Sequence, residues 1–235
     1  MKLTLNGIKK CELWEKAGIK LPAYDVEEVC KKAKENPVWA HFGIGNIFRI
    51  FIGGIADGLL EEGELDRGIT CVETFDYDVV DKIYEPFDNL GLSVLLHGDG
   101  TREYKVIGSL AEAVKAISSD SVQWKRLKEI FASPSLQMVT FTITEKGYAL
   151  QKADGTWFPF AALDIQNGPE QAVGAMAVVT AMLYERYKAG RYPLALVSMD
   201  NCSQNGAKLR ESVMVMAEEW KKAGFVEAEF IDYVG

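Results

Sequence analysis

The fold is decided by the stretch Val38-Trp39-Ala40-His41-Phe42-Gly43-Ile44-Gly45-Asn46. Its first five residues form a short run suited to a buried strand, and a turn with two glycines follows at once. Beyond the turn, apolar residues stand at positions 47, 48, 51, 52, 55, 59 and 60, which is the spacing of one helix face. A strand, a glycine turn and a helix in this order predict the opening of a βαβ unit.

Further strands and helices alternate along the rest of the chain. Apolar and β-branched runs predict three more core strands, at 69–75, 137–143 and 194–199. Helical spacing predicts helices at 78–84, 109–117, 121–132, 170–189 and 205–223. The turn Gly98-Asp99-Gly100-Thr101 between two β-type segments, 93–97 and 103–107, indicates a hairpin. We therefore expect an α/β fold: a Rossmann-like domain with a largely parallel sheet and an inserted antiparallel hairpin.

The first 36 residues differ from the rest of the chain. Residues 1–24 carry little periodicity, and we expect them to form an N-terminal arm. Asp25 and Glu28 have the spacing of a capping box, which predicts the start of a first helix that Pro37 ends. No repeat, low-complexity tract or linker follows, so we expect residues 37–235 to form one α/β domain.

The composition excludes several classes of protein. Hydrophobic residues make up 48% and charged residues 26% of the chain, as in an ordinary globular protein. The formal net charge of -8 argues against nucleic-acid or membrane partners, because it repels phosphates. Four cysteines without zinc or redox spacing and two histidines predict no metal site and no disulfide. Reduced thiols, with no signal-peptide pattern or membrane-spanning run, predict a cytoplasmic protein.

The glycine turn has features of a dinucleotide-binding loop. Gly43 lets the chain turn sharply after the strand, and Gly45 has no side chain to block a pyrophosphate. The helix that starts near Asn46 offers free amides to the phosphates. Arg49 lies one turn into that helix, where it reaches either a phosphate or a surface carboxylate. The third glycine of the usual fingerprint is a phenylalanine, so at this point a plain strand-to-helix turn stays an alternative.

A carboxylate at the end of the second strand would complete a dinucleotide site, because it accepts hydrogen bonds from the adenosine ribose. Glu73 and Asp76 both lie there, 28 and 31 residues after Gly45. Either would repel the extra phosphate of NADP, so the pattern favours NAD, with Glu73 the preferred partner of the ribose. The alternative is that both are solvated acids at a strand end.

Two polar segments follow the predicted strands at 137–143 and 194–199. They are Thr142–Tyr148 and Ser198–Gly206, and the carboxyl ends of parallel strands are where ligands bind in α/β sheets. For the second segment, a β-turn with an N-cap at Asn205 is the simpler alternative. Neither segment contains a histidine, so a hydrolase triad is disfavoured.

Together these segments resemble the mannitol dehydrogenase family. Residues 41–49 resemble its signature Gly-x-Gly-x-x-x-Arg, which also lacks the third glycine. Residues 142–148 resemble its Thr-x-Thr-Glu-(Lys/Gly)-Gly-Tyr segment, and residues 198–210 resemble its Ser-x-Asp-Asn-x-x-x-Asn-Gly-x-x-Leu-Arg block. Three ordered motifs over about 170 residues argue strongly against chance. Within the family, Asn-Ile-Phe-Arg and Thr-Glu-Lys-Gly-Tyr are most similar to fructuronate or tagaturonate reductases.

The resemblance implies an NAD-dependent oxidoreductase that moves a hydride, without a metal, between nicotinamide and a secondary alcohol of a hexonate or polyol. D-Mannonate and D-fructuronate are the expected pair. Residues 37–235 would be the NAD-binding domain, and Asn201 would polarise the substrate oxygen. The expected cofactor-binding residues are Phe42, Gly43, Ile44, Gly45, Asn46, Arg49, Glu73, Asp76, Thr144 and Glu145.

The catalytic base of the family is not in this sequence. The resemblance implies a lysine in a C-terminal helical domain, within Lys-x-x-x-x-Asn-x-x-His, and no such string occurs here. Lys208, for example, is followed five residues later by Val213. We expect that domain to be the partner of this chain and the chain alone to be inactive. Two alternatives stay open: a non-catalytic nucleotide-binding or scaffold domain, and a mannitol or sugar-phosphate dehydrogenase of the same superfamily.

Overall fold

The computed structural model describes residues 1–235 and has an α/β architecture. The chain divides into two compact units, residues 1–113 (unit 1) and residues 114–235 (unit 2). Each unit contains a pair of parallel strands. None of the helices combines the length and the apolar character needed to cross a lipid bilayer.

Unit 1 contains short helices and most of the strands. The helices are α1 (Leu5–Ile8), α2 (Cys11–Lys16), α3 (Val26–Glu35) and α4 (Gly53–Glu61). The strands are β1 (Ile19–Lys20), β2 (Trp39–Phe42), β3 (Ile69–Glu73), β4 (Gly91–Leu96), β5 (Arg102–Ile107) and β6 (Leu110–Lys115), which runs across the division of the chain. Two segments have π-helical hydrogen bonding, Ile47–Ile52 and Val80–Tyr84, and a 3-10 turn spans Glu85–Phe87.

The predicted βαβ opening is confirmed. β2 and β3 pair in parallel, with Ala40 opposite Thr70 and Phe42 opposite Val72. The helical segment 47–61 connects them, and its inward face packs on the strands because its apolar residues recur at helical spacing. The buried residues of this core are Ile44, Phe48, Ile52, Ala56, Ile69, Cys71, Val80, Tyr84 and Leu110.

The predicted hairpin is also confirmed, and it belongs to a second sheet. β4 and β5 pair antiparallel, from Gly91 opposite Ile107 to Leu96 opposite Arg102. β1 adds to β5 in parallel, so the strand order is β1-β5-β4. The first 24 residues therefore contribute a strand to this sheet, and Trp14 is buried in a core with α3. A strand of two residues is too short to produce an alternation that sequence periodicity could detect.

A buried polar cluster ties the N-terminal segment to α4. The Tyr24 hydroxyl and the Gly108 amide, the latter at 2.9 Å, both donate hydrogen bonds to Asp57 Oδ1. Lys105 Nζ forms an ion pair with Asp57 Oδ2 at 2.8 Å. Asp57 is fully buried, so these partners replace the water that its carboxylate loses. Burial and the Asp57 charge raise the pKa of Tyr24, so the tyrosine stays the hydrogen-bond donor.

The predicted helix at 109–117 is wrong, because this segment forms strand β6. Most of its residues have good helix propensity, which explains the prediction. β6 instead lies beside β3, where the Ile69 amide donates to Ser109 O at 2.8 Å and the Thr70 hydroxyl donates to Glu112 at 3.3 Å. A Cβ at Gly68 would lie 2.4 Å from the Ser109 carbonyl oxygen, so glycine permits this close approach. Pairing within the sheet overrides the local preference.

Unit 2 contains long helices and two strands. The helices are α5 (Ser121–Ala132), α6 (Thr144–Tyr148), α7 (Pro159–Asn167), α8 (Ala175–Gly190), α9 (Asn205–Lys222) and α10 (Ala228–Val234). The strands are β7 (Met138–Phe141) and β8 (Ala195–Ser198), and a 3-10 turn spans Pro169–Gln171. The strands pair in parallel, with Met138 opposite Ala195 and Phe141 opposite Ser198, as the sequence predicts for segments 137–143 and 194–199.

The helix predicted from residue 170 begins later, at Ala175. The carboxylate of Asp164 accepts hydrogen bonds from the amides of Val173 and Gly174, at 2.8 and 2.9 Å. These two bonds hold residues 173 and 174 in a turn rather than in the first turn of α8. The start of the helix is thus determined by a side chain from α7, which local sequence patterns do not reveal.

Candidate functional site

The glycine turn joins β2 to the helical segment 47–61. Gly43 has a φ of 90°, a left-handed conformation that residues with side chains rarely adopt, and its amide still donates to Val72 O at 3.1 Å. Gly45 has no positive φ, and a Cβ at that position would meet no protein atom within 4 Å. The turn needs glycine at 43 for its own shape. At 45 the chain itself does not need glycine, and the open space is available to a ligand.

The helical segment begins without a side-chain cap, because Asn46 makes no capping hydrogen bond to the first backbone amides. The Asn46 side chain instead accepts a hydrogen bond from Arg49 Nη2 at 2.9 Å. Free amides at the start of a helix carry partial positive charge and bind anions. A half-buried guanidinium therefore lies beside uncapped amides and an open glycine, an arrangement that fits a pyrophosphate.

Glu73, the last residue of β3, is almost fully buried beside the glycine turn. Its Oε2 accepts from the Ile44 amide at 3.4 Å. Its Oε1 accepts from the amides of Thr74 and Phe75 at 2.9 Å each, and from that of Asp76 at 3.4 Å. One carboxylate therefore links the glycine turn to the turn after β3, and it holds a negative charge at the ends of two adjacent strands. The Asp76 side chain is exposed in the same turn.

Tyr84 fixes the other side of the glycine turn. Its hydroxyl donates a hydrogen bond to the Ile44 carbonyl oxygen at 2.8 Å. The side chain is buried, and burial raises the pKa of Tyr84, so the hydroxyl keeps its proton. Ile44 is thus held through its amide by Glu73 and through its carbonyl by Tyr84. Both backbone polar groups of Ile44 therefore have side-chain partners, which hold the turn in this shape.

His41 in β2 is structural. Its ring is fully buried and stacks on Phe48, with centroids 3.9 Å apart and an interplanar angle of 11°. Burial lowers the pKa of His41 from its ordinary value of 6.5 to about 3. The imidazole is therefore neutral across the physiological range, and it cannot exchange protons with a substrate from this position.

The buried histidine should make stability depend on pH. Between pH 6.5 and 3 the unfolded chain protonates His41 and the folded chain does not, so acidification favours unfolding. We expect the free energy of unfolding to fall, from this residue alone, by up to about 1.4 kcal/mol per pH unit below 6.5 and to be unaffected above it. Urea unfolding at pH 7.5, 5.5 and 4.5 measures the slope.

The variant His41→Gln has no imidazole to titrate. Below pH 6.5 its free energy of unfolding should therefore fall less steeply with acidification than that of the wild type, by up to about 1.4 kcal/mol per pH unit. His97 is half-exposed, and His97→Gln is the matched control for the replacement of a histidine by glutamine. Equal slopes for wild type and His41→Gln would contradict the assignment.

In unit 2, Asp200 joins the two polar segments that follow β7 and β8. Its carboxylate accepts from the amides of Ile143 at 3.1 Å and Thr144 at 2.9 Å, and from the Tyr148 hydroxyl at 2.6 Å. Thr144 has a φ of 66°, which is uncommon for a residue with a side chain, and the Asp200 hydrogen bonds compensate for this strain. The two motifs that were separate in the sequence therefore form one structural element.

Two further side chains, those of Ser198 and Asn205, complete this network. The Tyr148 hydroxyl lies 2.8 Å from Ser198 Oγ, and burial together with Asp200 raises the pKa of Tyr148. Asn205 Nδ2 donates to the carbonyl oxygens of Ser198 and Asp200 at 3.2 and 2.8 Å. Gln204 rather than Asn205 is the N-cap of α9, so the alternative explanation of this segment by an N-cap at Asn205 is wrong. The Asn205 amide instead ties the helix to the turn after β8.

The predicted residues Asn201, Thr144 and Glu145 all lie exposed on this element. Glu145 forms an ion pair with Lys208 from α9. The hydrogen bond to Glu145 raises the pKa of Lys208, so this lysine stays protonated at neutral pH and is unsuited to accept a proton from an alcohol. The chain has no group of three or more His, Cys, Asp and Glu side chains arranged to hold a metal ion.

Comparison with known proteins assigns these features to a family. A family model described as the mannitol dehydrogenase Rossmann domain matches residues 38–233. The chain belongs to the mannitol dehydrogenase family. The match includes the glycine turn, the Glu73 turn and the Asp200 element, and it confirms the family that the three sequence motifs predicted.

Relatives within the mannitol dehydrogenase family are more than twice as long as this chain. D-mannonate oxidoreductase of Thermotoga maritima is 49% identical over 100% of the chain and 43% of its own length. Polyol:NADP oxidoreductase of Gluconobacter oxydans is 28% identical over 86% of the chain and 40% of its length. A solved structure of Pseudomonas fluorescens mannitol 2-dehydrogenase, a ternary complex with NAD and D-mannitol, has a TM-score of 0.76 and 28% identity over 92% of this chain and 42% of that one.

Sequence reasoning did not single out Asp200, the residue that joins the two polar segments of unit 2. Asp200 lies inside a predicted motif, but its partners are the amides of residues 143 and 144, more than fifty positions away. Phe75 was also missed, although it lies between Glu73 and Asp76 and its side chain is 92% exposed. The signal for Asp200 was its position in a polar segment after a strand. No local pattern indicates that Phe75 is exposed, because it ends an apolar run typical of buried strands.

Proposed function

We propose that this chain is the NAD-binding domain of an oxidoreductase that interconverts a hexonate and its keto acid, with D-mannonate and D-fructuronate as the pair. The observation that carries the proposal is the glycine turn: Gly45 is open, the following amides are uncapped, and Glu73 lies beside Ile44. This combination fits a dinucleotide, because a pyrophosphate needs close approach to backbone amides and a ribose needs a carboxylate.

The residues proposed to hold NAD come from the glycine turn and the helix start after it, the turn after β3, and α6. Gly43, Gly45 and Asn46 would contact the pyrophosphate through backbone groups, with Arg49 as a cation, and Phe42 and Ile44 would shape the turn. Glu73 or Asp76 would accept hydrogen bonds from the adenosine ribose. Thr144 and Glu145 are the further contacts that we assign to the cofactor. Bound NAD would accept the hydride in the oxidation of the alcohol, and bound NADH would donate it in the reverse reaction.

The substrate and the partner are inferred from the relatives. The 49% identity to D-mannonate oxidoreductase over the whole chain supports a hexonate substrate, and the exposed Asn201 is the residue that we propose to polarise its reacting oxygen. The relatives' greater length supports a second, C-terminal domain as the partner that supplies the rest of the site. A carbonyl polarised by an amide side chain is a better hydride acceptor, since negative charge develops on its oxygen.

The cofactor preference tests the proposal. We expect calorimetry to detect NADH binding to the wild-type chain and to give an affinity for NADPH that is lower by roughly 10- to 100-fold, because a 2′-phosphate would lie near one or two carboxylates. The comparison is informative because one relative of the family is named for NADP. Equal affinity for the two nucleotides would contradict the carboxylate argument, and no binding of either would contradict the proposed function.

Two variants separate the two acids. Asp76→Asn removes the exposed charge without touching the backbone hydrogen bonds, and Glu73→Gln removes the charge that holds the turn. The variant in which the affinity for NADPH comes closer to the affinity for NADH identifies the carboxylate that faces the ribose. Glu61→Gln, on the outer side of α4, is a matched charge control and should change neither affinity.

A further inference from the structure

Phe75 presents an aromatic ring to solvent at a position that the chain holds rigidly. Its side chain is 92% exposed, the highest value among the exposed large hydrophobic side chains of this protein. An exposed ring keeps an apolar surface in water, which is unfavourable unless something covers it. The ring is not needed for folding, because it packs into neither of the two hydrophobic cores of unit 1.

The backbone that carries Phe75 is fixed on several sides. Glu73 Oε1 accepts the amide hydrogens of Thr74, Phe75 and Asp76, three consecutive residues. The Tyr77 hydroxyl donates to Thr74 O at 3.3 Å, and the Val79 amide donates to Asp76 O at 3.1 Å. The exposure of the ring is therefore built into an ordered turn, and a ligand that covers it would not have to order a loop.

The same carboxylate places this ring next to the glycine turn. Glu73 binds the Phe75 amide through one oxygen and the Ile44 amide through the other. An exposed aromatic face, an exposed carboxylate at Asp76 and the glycine turn thus surround one acidic side chain, that of Glu73. An adenosine presents the matching groups, since its base has a π face and its ribose has two hydroxyl donors.

We propose that Phe75 is the stacking platform for the adenine ring of the dinucleotide. This inference rests on the proposed NAD-binding function and adds a base-binding residue to it. Stacking on one aromatic side chain changes affinity by about 5- to 150-fold in nucleic-acid-binding proteins, and we expect a similar effect here.

Binding experiments with fragments of the cofactor test the assignment. The full chain and three variants, Phe75→Ala, Phe75→Leu and Phe75→Trp, are titrated with NADH, ADP-ribose and nicotinamide mononucleotide. Phe75→Ala and Phe75→Leu should weaken NADH and ADP-ribose by about 5- to 150-fold, whereas Phe75→Trp should keep them near wild type. Nicotinamide mononucleotide, which has no adenine, should bind all four proteins alike. Because the ring is exposed, thermal melts should coincide.

The outcomes separate this proposal from the function on which it rests. If wild type binds NADH and ADP-ribose and Phe75→Ala binds them equally well, the platform is overturned and the NAD-binding function stands. If Phe75→Leu binds like wild type, the contact is apolar and not a stacking one, which also overturns the platform. If wild type binds neither adenine ligand, both proposals fail. Phe87→Ala, on a partly exposed ring elsewhere in unit 1, is the matched control and should leave all affinities unchanged.

Discussion

The 235-residue chain, assayed alone with NADH and D-fructuronate, is expected to show no loss of NADH absorbance above background. Proton transfer by a positioned base or acid contributes on the order of 10²–10⁴-fold, and orientation of the substrate contributes more. The family resemblance places that base in Lys-x-x-x-x-Asn-x-x-His, a string that these residues do not contain.

Three other titratable side chains cannot replace this base. Lys208 is held protonated by Glu145, and Tyr148 has its pKa raised by burial and Asp200. His41 is buried and neutral. Lys146 is an exposed lysine in α6 and is the one remaining candidate in the two polar segments. Family members can carry glycine at the equivalent position, which argues against a catalytic role.

The assay is an absorbance measurement with the purified chain at high protein concentration, and D-mannonate with NAD is measured in the reverse direction. Turnover that disappears in Lys146→Ala but persists in the matched variant Lys152→Ala would show that the base lies within this chain. NADH binding without turnover is the expected combination. It would also distinguish a folded but inactive domain from a misfolded one.

Replacing Arg186 should cause the largest loss of stability in unit 2. This arginine of α8 is fully buried, and its guanidinium donates hydrogen bonds to five backbone carbonyl oxygens at 2.6–3.0 Å. The acceptors are the carbonyl groups of Phe131, Ser133, Leu136, Tyr192 and Pro193. These carbonyl groups lie at the end of α5 and in the loops that precede β7 and β8. One side chain therefore donates hydrogen bonds to the loops that lead into both strands of the parallel pair.

We expect Arg186→Met to lower the free energy of unfolding by about 3–5 kcal/mol, because it leaves several buried carbonyl groups without donors. Arg186→Lys should recover only part of this loss, since an ammonium group has three donors and cannot reproduce the planar fork. Urea unfolding followed by circular dichroism and tryptophan fluorescence measures both variants.

Arg191 provides the matched control. It is exposed and stacks over the ring of Tyr187, 4.6 Å from the centroid, so Arg191→Met should cost about 1 kcal/mol or less. A loss of less than about 1 kcal/mol in Arg186→Met would mean that water replaces the guanidinium at these carbonyl groups and that the side chain is dispensable.

The sequence by itself determined the family and the α/β class. Gly43 and Gly45 after an apolar run are a local pattern, and so are the apolar runs that became β2, β3, β7 and β8. The hairpin depended on a Gly-Asp-Gly turn, which is equally local. Such features could be predicted because the conformation of each segment follows from its own residues.

Tertiary structure alone decided the features that depend on distant partners. Strand β6 has residues that favour a helix, and its pairing beside β3 outweighs that preference. Glu73, Asp200 and Arg186 act through backbone groups up to fifty-seven positions away, which no spacing rule connects. A buried charge must find its hydrogen-bond partners wherever the fold brings backbone amides and carbonyl groups together, so its role becomes visible only when the chain is folded.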